Sequence, residues 1–147
     1  MRRYEEAIAA YREALTIDPD DSDTYLNIGL DYFLLGDFQT ARSWCEAKPD
    51  NQFSSACLAI VYDRLGRNAD ADTKLANFTS ATGDSFPYIV AGIYAMRGNT
   101  EKALEWLDRA MRIRDAGLEQ LKVDPFLDSL RKEPRFQAIE REVKFPS

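Results

Sequence analysis

The chain has 147 residues, 45% of them hydrophobic and 30% charged, which is enough apolar material for one buried core and excludes a disordered polymer. Lys and Arg number 19 against 25 Asp and Glu, giving a net charge of −6; a phosphate backbone is held by Lys and Arg, so nucleic acid is not an expected partner. With no histidine, and no phosphate loop, dinucleotide fingerprint or nucleophile elbow, an enzyme is not expected: no catalytic residue, cofactor or metal site emerges.

Residues 3–17 read as one amphipathic helix with Tyr4, Ala7, Ile8, Tyr11, Ala14 and Leu15 along one side. Two arginines open the chain, but glutamates follow and there is no continuous apolar core, so this is not a secretory leader. The longest nearly apolar run, residues 86–96, is too short to span a bilayer. No membrane role and a cytoplasmic location are expected. The connection DPDDSD invites a calcium loop, but an EF-hand would need Gly in place of Asp23 and Glu in place of Gly29. Acidic and serine residues ahead of a helix read instead as N-terminal caps.

In residues 22–49, Tyr25, Ile28, Tyr32 and Leu35 share one helical face, and Gly29 on that face lets a second helix approach at Ala41. Gly36 ends the first helix, where a left-handed residue is common, and Asp37 caps the next. The spacing recurs as Ala59, Tyr62, Gly66, Ala71 and as Ala91, Tyr94, Gly98, Ala103. One helical hairpin has been written three times.

Cys45 and Cys57 have neither CxxC spacing nor histidines, so two reduced thiols are expected, with Cys45 a buried hydrophobe. Leu75 and Phe78 continue the stripe begun at Ala71. In the next copy Ser85 is a candidate cap and Pro87 sits in the first turn. Residues 100–114 put Ala103, Leu104, Leu107, Ala110 and Met111 on one side and charges on the other. Trp44 and Trp106 occupy equivalent places that suit packing on the following helix. In the tail, Asp124-Pro125 and Glu133-Pro134 each read as a cap and first helical position, with Phe126, Leu127, Leu130, Phe136 and Ile139 as the apolar set.

The pattern resembles the tetratricopeptide repeat (TPR), an aromatic, then Leu-Gly, Tyr, Ala, an aromatic and Pro over about 34 residues. Tyr25, Ile28-Gly29, Tyr32, Ala41 and Pro49 carry the match. The resemblance implies an all-α fold, a right-handed superhelical stack of α-α hairpins (a TPR solenoid) with a C-terminal helical cap. One domain, 1–147, would divide into a half repeat at 1–21, repeats at 22–50, 51–83 and 84–115, and capping helices at 116–147. The glycine spacings, Gly36 to Gly66 and Gly66 to Gly98, are compressed, so short second helices are expected. The half repeat leaves open whether the chain is cut from a longer protein or begins with an unpaired cap. Residues 121–136 resemble the closing tail of repeat modules in bacterial regulatory proteins, among them adenylate cyclases, protein kinases and winged-helix regulators.

In that family the first helices line a concave groove that receives peptides or partner helices. The matching offsets here are Leu26, Asn27, Leu30, Phe33, Phe53, Ala56, Cys57, Ile60, Tyr88 and Ile89. Asn27 matches an asparagine that in some relatives helps to hold a peptide carboxylate, whereas Cys57 stands where a basic residue would help. The resemblance thus implies a noncatalytic protein-protein interaction module within a longer bacterial protein, with a peptide or helix as partner. Filling of the groove by the chain's own tail, and a structural or self-assembly role, stay open beside it. Leu30→Glu or Ile60→Glu is expected to abolish capture without loss of helicity. The face bearing Tyr4, Ile8, Tyr11 and Leu15 is expected to meet water and to support a weak homodimer.

Overall fold

The structure is a computed structural model that describes residues 2–143. Its helices are α1 (Arg2–Ile17), α2 (Ser22–Leu34), α3 (Phe38–Glu46), α4 (Phe53–Arg64), α5 (Asn68–Thr82), α6 (Pro87–Met96), α7 (Thr100–Ile113) and α8 (Pro134–Glu142). Two 3-10 segments, η1 (Ala116–Gln120) and η2 (Pro125–Leu130), lie between α7 and α8. Among the described residues there is no strand. The chain forms two compact units, Met1–Ala81 and Thr82–Ser147.

The threefold pattern is repeated in the backbone. Gly36, Gly66 and Gly98 take φ of 85°, 80° and 80°, the left-handed region open to glycine without a Cβ clash. Each closes the same pair of helix-ending hydrogen bonds. The glycine N–H donates to the carbonyls of Phe33, Asp63 and Ala95, and the next N–H donates to those of Tyr32, Tyr62 and Tyr94. Asp37 Oδ1 then accepts from Thr40 N–H and Asn99 Oδ1 from Lys102 N–H, both at 3.2 Å, starting α3 and α7. The middle copy has Arg67 there, which offers no acceptor; its Nε donates instead to Asp70 at 2.8 Å.

The small-residue frame is buried as its spacing predicts. Ala41, Ala59, Ala71, Ala91 and Ala103 have no exposure. A Cβ on Gly29 would run into Cys45 Sγ and would stand 3.4 Å from both the Ala41 carbonyl and Trp44 Cβ. The apolar side of α7 joins Leu118, Leu121, Leu127, Leu130, Phe136 and Ile139 in the core of the second unit. The tail therefore completes the core beside α6 and α7.

Some expectations of local structure change. Compression of the second helices falls on α3, at 9 residues, whereas α5 and α7 run to 15 and 14. Asp124 does cap, accepting from Phe126 N–H at 2.9 Å, but the segment it starts is 3-10. Glu133 makes no side-chain cap bond at α8. Ser85 is not the cap of α6; Phe86 holds that place without a side-chain bond, and Pro87 opens the helix. Trp44 packs on the preceding helix, its ring centroid 5.4 Å from that of Tyr25.

Candidate functional site

In the first unit the candidate face belongs to α2 and α4, which lie side by side. Leu26, Leu30 and Phe33 recur along one side of α2 because their offsets follow the helical period. Leu26 and Phe33 are buried at 5% and 3% exposure, Leu30 is half-buried and Asn27 is exposed. On α4, Ala56 and Ile60 are buried while Phe53 is half-buried. Leu26, Phe33, Ala56 and Ile60 are thus buried, whereas Asn27, Leu30 and Phe53 keep some exposure, the Phe53 ring packing on that of Phe78 at 5.9 Å. Phe33 is itself covered by the Phe38 ring at 5.2 Å and the Arg64 guanidinium at 5.9 Å. The expectation that Ile60→Glu would spare the fold is corrected, because Ile60 has 5% exposure and a buried charge without a partner is costly.

The expectation of two free thiols is also overturned. Cys45 and Cys57 are joined in a disulfide between α3 and α4, with Cα atoms 6.1 Å apart. Both are buried, Cys45 completely. Cys57 consequently faces its partner sulfur instead of an open groove, and its position offers nothing to a peptide carboxylate. Two hydrogen bonds run beside the bridge between the same helices: Ser54 Oγ donates to the Cys45 carbonyl, and the Tyr62 hydroxyl to Glu46 Oε2, each at 2.6 Å. Burial and then the Glu46 hydrogen bond push the Tyr62 phenol up to about 12.

A second grouping lies where α1 meets α2 and α3. Arg12 Nη2 donates to the Tyr32 hydroxyl at 3.1 Å, and its guanidinium sits 5.6 Å from the Trp44 ring centroid. Lys48 Nζ stands 4.8 Å from the Tyr25 ring. The two cations bracket the Tyr25–Trp44 pair. On α1 itself Ile8 is buried at 6% exposure, with α2 packed alongside; Tyr4, Tyr11 and Leu15 are half-buried. The expected water-facing patch is thus largely covered by the chain itself, with α2 packed along α1.

In the second unit the corresponding face of α6 is occupied by the tail. Tyr88 is buried at 7% exposure, so its expected place in an open groove is corrected. Its hydroxyl donates to Asp124 Oδ2 at 2.7 Å, and its ring lies so close to Gly117 that a Cβ there would come within 2.5 Å. Burial first and the Asp124 bond second raise the Tyr88 phenol above its usual range. Asp115 accepts from Tyr88 N–H at 3.1 Å and from Gly117 N–H at 2.8 Å, so one carboxylate starts both α6 and η1. Arg131 donates to the carbonyls of Leu121 and Asp124 at 3.2 and 2.8 Å, tying the turns of the tail together. Ser129 Oγ donates to the Ala95 carbonyl at 3.3 Å, and Ile89 is left half-buried. On α6 the alternative left open by the sequence, filling by the chain's own tail, is the one the structure has; the Asp115 bond to Tyr88 spans α6 and α7, and the Arg131 bonds span turns of the tail, so neither leaves a periodic signal.

Among the described residues, no group of three or more His, Cys, Asp or Glu is placed to hold a metal ion. No helix among them is long and apolar enough to cross a membrane.

Helical hairpins closed by left-handed glycines over a small-residue frame define an all-α hairpin-repeat fold, consistent with an array of tetratricopeptide type. Residues 3–36 match the family model described as TPR repeat. The matched segment pairs α1 with α2, one helix out of phase with the hairpins joined at glycine. The human protein named "Antiviral innate immune response effector IFIT1" is 27% identical over 127 residues, covering 76% of this chain and 26% of that protein. The chain thus spans about a quarter of the length of that curated relative.

Proposed function

We propose that the chain is a noncatalytic protein-interaction module whose α2/α4 face takes an apolar peptide or helix. The observation that carries this reading is the pairing of α2 and α4, first helices of successive hairpins, on which Leu30 and Phe53 are only half-buried and Asn27 is exposed. Such a face suits apolar side chains at helical or extended spacing, the mode in which an amphipathic segment lies in a groove. The match of residues 3–36 to a TPR repeat lends support, since such repeats generally mediate protein-protein contact. Membership in a longer regulatory or adaptor protein, implied by the resemblance of the tail, is part of the same proposal. So is a cytoplasmic setting.

Leu30→Glu tests it. The residue is half-buried, so its carboxylate reaches water from the rim while placing charge on the apolar face. Pull-down from a native lysate, beside far-ultraviolet circular dichroism, should give at least about a tenfold loss of captured protein at unchanged helicity, because desolvating an unpaired charge costs more than about 1.4 kcal/mol. Equal capture by both proteins removes the reading.

A further inference from the structure

We propose that Cys45 and Cys57 form a redox-controlled staple that fixes α3 on α4 when oxidised and lets this junction loosen, without unfolding, when reduced. Three features of the junction carry this.

The place of Cys45 is built for the bond. At the place of Cys45 the other two hairpins have Leu75 and Leu107, both buried. At the place of Gly29 they have Ala59 and Ala91. Only in the hairpin that carries Cys45 is the small residue reduced to glycine, and a Cβ there would collide with Cys45 Sγ. The missing methyl makes the room that the sulfur occupies.

The junction has a second set of ties that does not depend on sulfur. Ser54 and Tyr62 on α4 bond Cys45 and Glu46 on α3, and Asn51 Nδ2 in the intervening turn donates to Ser22 Oγ and Asp23 Oδ1 at 2.9 and 2.7 Å. Cleavage of the disulfide removes a covalent constraint on a short loop while the Ser54 and Tyr62 bonds hold α3 near α4 and the Asn51 bonds hold the turn on α2. The result is a looser junction. With 0% and 3% exposure, the sulfurs exchange only when the end of α3 opens, so the change is slow and state-holding.

The chemistry requires a two-electron oxidant, here a low-molecular-weight disulfide. One Cys thiolate attacks it and expels a thiol; the second Cys then displaces the other half, forming the Cys45–Cys57 bond. The two thiol protons leave with the two departing thiols, and the low-molecular-weight disulfide is reduced. In its consequence for binding the inference rests on the α2/α4 reading, since α4 carries half of that face.

The wild-type chain suffices for the test. Thiols are counted in denaturant after equilibration with dithiothreitol or with oxidised glutathione, and amide deuterium uptake is compared in the two states. The expected result is two thiols reduced and none oxidised, with uptake across 45–57 rising several-fold on reduction and uptake across 87–142 unchanged. Persistent thiols, stable glutathione adducts, equal uptake in the two states, or loss of protection throughout residues 2–81 on reduction would each overturn the staple. Leu30→Glu separates the two proposals: the redox transition is retained in that variant even if its capture of partners equals that of wild type.

Discussion

At Gly29 the chain omits a side chain so that Cys45 and Ala41 can come close, and this makes the position sensitive to a single methyl. In Gly29→Ala the new Cβ meets Cys45 Sγ and the backbone at Ala41, where little can give. Overpacking of this kind costs about 1–3 kcal/mol, readable as a lower denaturation midpoint. The cost should shrink in a Cys45→Ala background, which lacks the sulfur. An equal cost in both backgrounds would mean that the Ala41 backbone, not the sulfur, sets the limit. Gly36 differs in kind: nothing lies within 4 Å, and its requirement is the φ of 85° alone. Both roles were legible in the sequence, because close approach and left-handed turns are met by the smallest residues at fixed offsets. The disulfide was not. Cys57 was assigned by its offset to the concave side, and a separation of 12 residues does not reveal which sulfur a side chain faces.

Among the elements, most local caps were legible, Glu133 being an exception that makes no side-chain cap bond, and Ser85 was misread where a distant carboxylate does the work. Asp21, Asp37, Asn99 and Asp124 accept from N–H groups two or three residues ahead, a spacing visible in the sequence. Ser85 resembled them, yet α6 draws its side-chain acceptor from Asp115, 27 residues away. Asp115→Ala leaves Tyr88 N–H and Gly117 N–H without that acceptor. A helix cap of this type is worth about 1 kcal/mol, so two lost bonds should destabilise the second unit by about 1–2 kcal/mol. Deuterium uptake should rise at the starts of α6 and η1 and stay constant in α1 to α4. No change at Tyr88 or Gly117 would mean that water replaces the carboxylate without loss. The 3-10 form of η1 and η2 was likewise unreadable, since short apolar runs after a cap suit either helix type, and packing against α6 and α7 selects between them.

For the molecule as a whole, repeat number and core were written in periodic small and apolar residues, whereas openness of the binding face was not. Leu26, Phe33, Ala56, Ile60 and Tyr88 have the offsets of a groove, but the structure leaves each of them no more than 8% exposed. Periodicity gives the side of a helix; it does not say what lies on that side. The accessible remainder is small and lies on a chain of net charge −6, so apolar contact at Leu30 and Phe53, rather than general charge attraction, is expected to dominate recognition. A photoreactive amino acid placed at exposed Asn27, compared with the same label at exposed Glu105 on the charged side of α7, tests this most directly. In a native lysate the label at position 27 should yield a discrete cross-linked partner that the label at position 105 does not. Equal labelling at both sites, or cross-links at position 105 alone, would contradict the account.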